Sequence, residues 1–310
     1  MLHTIVVPLD GSAASEAALP YAAAIGRAAG AALEVVHVHV PWLPEAGFAE
    51  AASPSLRPPE VPEAGLPHPT ATEKRRWIEE LARRVAERTG VAASARLLEG
   101  PLVPTLRLHI EESGADLLVM TTRGQGAGGP TWLGSVAQSF ARGASVPLLL
   151  VPLPPGEPEP WREPRVRRIL VALDGSPPSE RVLGPAQDVA AALRARLRLL
   201  LVLPPDSDPA ARRAAESYLA ATAAKLSDTA GTPALEIAVH EQPAAAILEE
   251  VRRHSIDLVA VASHGESGIS RMLLGGPAQE MLRGAEAPLL LVRATAAEPG
   301  GGEPADRAGA

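Results

Sequence analysis

What this chain lacks narrows its chemistry first. None of its 310 residues is cysteine, which excludes disulfides, thiolate catalysis and cysteine-ligated zinc. No apolar run approaches the roughly 18–20 residues that a membrane-spanning helix needs. The opening MLHTIVVPLDGS has no basic leader and runs straight into a strand pattern, so it is not read as a signal peptide. Lysine is nearly missing: 27 of the 29 basic residues are arginine, a ratio read as coding bias and not as a binding signal. The net charge of −7 argues against a sequence-independent nucleic-acid binder. There is no GxxxxGK[ST] loop, so no lysine is supplied to a γ-phosphate, and no Ser/His/Asp arrangement is assignable. A soluble, cytoplasmic protein is the expectation.

What is present is a duplication. Thr4–Ser12 (TIVVPLDGS) returns as Arg168–Ser176 (RILVALDGS), which maps Asp10 onto Asp174. Asp116 in GADLLVM maps onto Asp257 in SIDLVAV, and VPLLLV at 146–151 returns as APLLLV at 287–292. The offset shrinks between these pairs, because half one carries Pro41–Pro69, with eight prolines in 29 residues, where half two has a short PPDSDP turn. A period this long is a domain duplication and not a solenoid. The expected division is a first domain over 1–153, a proline-rich linker over 154–165, a second domain over 166–294 and a disordered tail over 295–310. Nearly half the residues are apolar, enough for two cores.

Each half alternates strand and helix. In half one, Ile5–Leu9 reads as a strand and Ser12 as the cap of one Ala-rich helix ending near Gly30. Leu33–Val40 is a second strand. Trp77, Ile78, Leu81 and Val85 lie at helical spacing before Gly90, and Ala95–Leu98 is a third strand. Pro101 suits the first position of a helix stopped by Gly114. Asp116–Met120, Ser135–Arg142 and Val146–Val151 complete the half as strand, helix and strand. Strands that are apolar throughout and alternate with helices predict two doubly wound, Rossmann-like α/β sandwiches, each a five-stranded parallel sheet with helices on both faces. The ligand crevice of such a fold lies beyond the strand C-termini. The strands at Pro147–Val151 and Pro288–Val292 are short and apolar, and are expected to pair the halves as an intramolecular pseudo-dimer. A homodimer is the other assembly considered.

The glycine-rich stretch Met120–Val136 sits at that crevice: a strand, then Gly124, Gly126, Gly128 and Gly129, then Gly134-Ser135 opening a helix. Glycines let backbone N–H groups approach an anion closely, and a helix start favours negative charge. A flexible loop, with Gly134 as a packing glycine and Asp10 as a turn residue, is the alternative.

These residues resemble the universal stress protein family (UspA-like) in its tandem two-domain form, over 1–153 and 166–294. The family signature is a glycine, two residues, a glycine, nine residues, then glycine followed by serine or threonine. Half one matches at Gly124 and at Gly134-Ser135 and has Thr121 for the first glycine. Half two matches at Gly265 and Gly275 but has Ala262 for the first glycine and Gly276 for the hydroxyl residue. The resemblance implies an ATP site, with any Mg²⁺ arriving on the phosphates. Pro8 and Asp10 would lie near adenine and ribose, Val38 against the adenine, and Met120 and Thr121 at the end of the fourth strand. Gly124, Gly134, Ser135 and Val136 would hold the phosphates. The second, weaker set is Asp174, Val202, Gly265, Gly275 and Gly276. There Pro277 replaces Val136 and Gly276 replaces Ser135, removing two donors, and Glu266 replaces neutral Gln125. The better site is expected in half one.

The family implies a nucleotide-dependent stress or signalling regulator without efficient catalysis, and a protein partner that the residues do not identify. Two other classes are weighed: an enzyme of the related superfamily that splits ATP between its α- and β-phosphates, and a nucleotide-free interaction module. The enzyme class adds a Ser-Gly-Gly-x-Asp-Ser loop after strand one, for which Asp10-Gly11-Ser12 is too short. His37 and His39 share a strand face without being assigned a metal. The other histidines are read as lacking ligand spacing, and no dedicated metal site is expected. Arg83-Arg84 and Arg165–Arg168 are read as solvated faces.

Overall fold

The computed structural model describes residues 2–40, 70–123, 133–153, 161, 163–226, 231–262 and 287–293. Half one runs β1 (Thr4–Pro8), α1 (Ala13–Glu16), α2 (Leu19–Ala29), β2 (Ala32–His39), α3 (Ala71–Thr89), β3 (Ala93–Glu99), α4 (Leu102–Ser113), β4 (Leu117–Thr121), α5 (Ser135–Gly143) and β5 (Leu148–Val151). Half two runs β6 (Arg168–Leu173), α6 (Pro177–Glu180), α7 (Leu183–Leu193), β7 (Arg196–Leu203), α8 (Pro209–Lys225), β8 (Ala234–Val239), α9 (Pro243–His254), β9 (Leu258–Ala262) and β10 (Leu289–Val292). The insertion at 41–69, the greater part of the linker and the tail lie outside the described residues.

Within each half the strands are parallel, in the order β3-β2-β1-β4-β5 and β8-β7-β6-β9-β10. The expected seam between halves is present: β5 and β10 pair antiparallel, with Leu149 opposite Leu290. The two sandwiches therefore share one ten-stranded sheet, in which each half covers the other's apolar edge.

Alternation along the strands explains why they read as apolar throughout. Ile5, Val7, Val119, Leu149 and Leu290 pack with α2, α3 and α7 on one face. Val6, Leu118, Leu148 and Leu289 pack with α4, α5 and α9 on the other. Along the central strands β1, β4, β5, β9 and β10 both faces are covered, so their residues read as apolar throughout, while the outer β3 and β8 keep exposed positions.

The punctuation follows local chemistry. Thr70 and Glu73 form a reciprocal capping box at the start of α3, and Gly90 ends it at φ 70°, left-handed geometry that favours glycine. One expectation needs correcting: the helix drawn from Ser12 to Gly30 is two helices. Ser12 caps only the short α1, and α2 begins at Leu19. Pro20 has no N–H for the Glu16 carbonyl, and its ring would collide with that carbonyl in a continuous helix. Pro185 divides α6 from α7 in the same way. Pro101 occupies the N-cap of α4 and not its first turn, a displacement of one residue.

Candidate functional site

The chain leaves β1 toward β2 on one side, while β4 lies on the other. Crossovers departing in opposite directions open a crevice beyond the C-terminal ends of β1 and β4. Pro8, Asp10, Val38, Met120, Thr121, Gly134, Ser135 and Val136 all lie at those ends or at the helix that faces them. Val38 and Met120 are buried in one apolar cluster with Leu133, against which Val136 packs. Gly124 lies outside the described residues. In half two Asp174 and Val202 occupy the matching strand ends. Gly265, Gly275 and Gly276, with Glu266 and Pro277, lie outside the described residues.

Asp10 builds the turn after β1. Its Oδ1 accepts from the Ser12 backbone N–H at 2.9 Å and from the Ser12 hydroxyl at 2.6 Å. Ser12 Oγ in turn accepts from the Ser15 N–H at 3.1 Å, capping α1. Gly11 sits at φ +90°, where an L side chain would be strained. Half two repeats this bond for bond, with Asp174 Oδ1 accepting from Ser176 N–H at 3.0 Å and from Ser176 Oγ at 2.6 Å. The turn role read for Asp10 is therefore real, and it fixes the plane in which the carboxylate is presented. It does not distinguish the halves.

The start of α5 is a different matter. Gly134 is its N-cap, in extended geometry (φ −65°, ψ 160°), and no side chain caps the helix. The first-turn N–H groups of Ser135, Val136 and Ala137 have no intrahelical acceptor. Among the described residues nothing calls for glycine here. The φ suits any residue, and a Cβ would meet Thr122 O at 3.6 Å and Arg123 Cα at 3.7 Å, ordinary contact distances. A residue able to cap, such as serine or aspartate, would stabilise the helix better. Among the described residues the packing alternative for Gly134 finds no close neighbour.

Thr121 stands where the signature has its first glycine. Its side chain is buried and its hydroxyl donates to the Arg123 carbonyl at 2.6 Å, closing the turn after β4. Sequence reasoning missed this bond, as it missed the role of His37. His37 is buried at the end of β2, its Nδ1 lies 2.8 Å from the Leu9 carbonyl, and its ring meets Trp77 edge-on at 5.5 Å. Burial pushes its pKa down, against the pull of the Leu9 carbonyl, so the ring is neutral with its proton on Nδ1. His37 thereby ties β2 to the peptide that carries Asp10. A buried histidine inside an apolar strand was the available signal. Its counterpart in half two is Leu201, which has no such bond to offer.

The reading of the remaining histidines also needs a correction. Glu250 and His254 are one helical turn apart on α9, and Glu236 joins them from β8, so that ligand-type atoms of all three lie within 4.8 Å of one another. The four-residue spacing was visible in the sequence; the approach of Glu236 depends on how α9 packs on the sheet.

Comparison with known proteins places this geometry. A model of the universal stress protein family matches residues 1–152 and again 165–293. One universal stress protein of Mycobacterium tuberculosis is 30% identical over 315 residues, covering 93% of this chain and 94% of its own. A second from that organism is 28% identical over 314 residues, covering 94% and 97%. Among solved structures, a universal stress protein of Archaeoglobus fulgidus has a TM-score of 0.64 at 19% identity, covering 94% of this chain and 96% of that one, a likeness of fold. Among the described residues no helix is long and apolar enough to cross a membrane.

Proposed function

The chain belongs to the universal stress protein family, and from that premise we propose that it is a cytoplasmic, ATP-binding regulator of a stress or signalling response. The nucleotide sits in half one. Asp10 faces the ribose or the base amine, Val38 and Met120 pack against the adenine, and the N–H groups of Ser135 and Val136 with the Ser135 hydroxyl take the phosphates. Gly124 extends the same cradle, and Mg²⁺ accompanies the phosphates. The bound nucleotide supplies a polyanion that sets conformation or the choice of a protein partner. The observation that supports this reading is the start of α5: a helix N-terminus at the switch point of the sheet that no described side chain caps, holding a glycine that neither φ nor the described neighbouring atoms require.

Efficient catalysis is not part of the proposal. Phosphoryl transfer needs a metal, a base and positive charge set in place together, and no such set was assigned from the sequence. The ATP-splitting class needs a longer loop after β1, where only Leu9–Ser12 separates β1 from α1. The interaction-module reading rests on Thr121, Ala262 and Gly276, which depart from the family signature.

Calorimetric titration of the purified chain with Mg²⁺-ATP tests the proposal. Saturable binding is expected, with Gly134→Ala and Asp10→Ala weakening it by on the order of 100-fold and Gly275→Ala leaving it unchanged. Absence of binding at millimolar nucleotide sinks the reading. Equal losses in Gly134→Ala and Gly275→Ala sink only the asymmetry.

A further inference from the structure

We propose that half two carries a binding site for a divalent transition metal, zinc by the chemistry of its donors, formed by Glu236, Glu250 and His254. Glu250 and His254 lie on successive turns of α9, and Glu236 is the third residue of β8 beneath them. Glu250 Oε2 and His254 Nε2 are 3.0 Å apart, and Glu236 Oε2 is 3.9 Å from the same nitrogen. Around a tetrahedral ion with bonds of about 2.0–2.2 Å, ligand atoms stand roughly 3.3–3.5 Å from one another. The observed pair brackets that value.

The orientation of these groups is the second observation. The Glu250 side chain is only 7% exposed, and both its Oε2 and His254 Nε2 are buried without a hydrogen-bonding partner. Their separation is that of a hydrogen bond, yet their directions are not. Each atom therefore keeps an unused lone pair or proton beside the other, and a cation placed among the three side chains would satisfy them together. One imidazole and two carboxylates suit zinc, with water completing the shell. Leaving such atoms unsatisfied in a buried place is otherwise costly.

The surrounding cations fix the competition. Arg198 Nη1 sits 2.9 Å from Glu236 Oε2, and the exposed Arg253 approaches Glu250 Oε1 at 3.5 Å. Arg198 is therefore the internal rival of the ion for Glu236. Among the described residues half one has no equivalent chelate. There Arg96 holds the register position of Glu236 and Ser113 stands for His254, while Glu34 is taken by Arg96 and His109. Because α9 runs back from the strand C-termini, His254 lies toward the opposite end of the half from the nucleotide crevice, so this site does not depend on the ATP reading.

The test uses the tag-free full chain, stripped with chelator and titrated without nucleotide, with Zn²⁺ by calorimetry and with Co²⁺ by visible absorption. One equivalent is expected, with a Co²⁺ ligand-field band. Glu250→Gln and His254→Gln should each weaken uptake by on the order of 100-fold, while His109→Gln, at the Glu250 position of half one, leaves it unchanged. Arg198→Gln should tighten binding, the opposite of what an ion-pair network without a metal role would show. No saturable uptake by the native chain, or full uptake by both ligand variants, overturns the proposal. If Glu250→Gln fails to fold by circular dichroism, His254→Gln, at the helix end, decides.

Discussion

The two halves share a scaffold and differ in where they keep polar groups. Both build the same Asp-Gly-Ser turn, with matching bonds from Ser12 and Ser176. On the sheet face under α4 and α9 they carry opposite charges at one position. Buried Glu34 on β2 is met by Arg96 and His109, whereas Arg198 at the matching place on β7 is met by Glu236. A lone buried charge costs several kcal/mol, so the sign changed together with its partners. At the strand C-termini the divergence runs the other way. Half one has Thr121, His37 and the Ser135-Val136 start of α5; half two has Ala262, Leu201 and Gly276-Pro277. A duplicated fold thus preserves turns and core while the two copies differ in where their polar side chains lie.

The largest effect should come from making half one resemble half two at the helix start. Ser135→Gly with Val136→Pro removes a hydroxyl and a backbone donor, and proline is tolerated in the first turn of a helix, so the fold survives. Two hydrogen bonds to charged phosphates at about 1.5–3 kcal/mol each predict ATP affinity lower by roughly 10²–10⁴-fold. An unchanged Kd by calorimetry would remove α5 from the site and with it the asymmetry.

Next in size is the seam that makes the halves comparable at all. Leu290 is fully buried where β10 meets β5. Leu290→Ala should cost about 2–5 kcal/mol in denaturant unfolding followed by circular dichroism. A loss confined to the half-two part of a two-step transition would show that the continuous sheet is not a cooperative unit. A loss shared by both halves would show that it is.

Much of this was legible before any coordinates. Repeated strand sequences, the Gly90 and Gly114 stops and the apolar β5 and β10 segments gave the doubly wound halves and their pairing, because each reports a local rule. The break between α1 and α2 was equally local and was overlooked: Pro20 sits four residues after Glu16, the spacing at which proline is excluded from a helix. What could not be read was side-chain aim. The Thr121 hydroxyl turning to Arg123, the His37 proton on Nδ1 and the arrival of Glu236 beside Glu250 are set by packing across elements, and spacing along the chain carries none of them.

Thr121 offers a smaller and sharper comparison. Thr121→Ala copies Ala262 of half two and deletes the bond to the Arg123 carbonyl. A net loss of about 0.5–1.5 kcal/mol in stability is expected, with ATP affinity changed less than the helix-start variant changes it. A large gain in affinity would mean that the threonine crowds the ligand, and that its structural bond was retained at the expense of binding.

The smallest effect is a pH dependence that only half one should have. Burial depresses the His37 pKa; Asp10 and the Leu9 carbonyl raise it, and Lys74 and His39 lower it further. The folded state therefore binds a proton less readily than the unfolded chain, whose histidine titrates near 6.5. Between the depressed value and about 6.5 the unfolded state holds more protons, so stability rises with pH there: it is fully present above about 6.5 and is lost as pH falls. Glu16 acts with the opposite sign, since burial raises its pKa above 4.5 and the folded state gains protons first on acidification. The two are separated by difference. His37→Leu, which copies Leu201, keeps Glu16 and removes the histidine titration. At pH 7.5 the variant gives up the bond to Leu9 and should be less stable by about 1 kcal/mol. As the pH is lowered through 6 toward 5, that gap should narrow, because only the native chain must keep a buried histidine neutral. Parallel curves for the two proteins, measured by denaturant midpoint at each pH, would mean that His37 is solvated as freely in the folded chain as in the unfolded one, and the clamp on Asp10 would go with it.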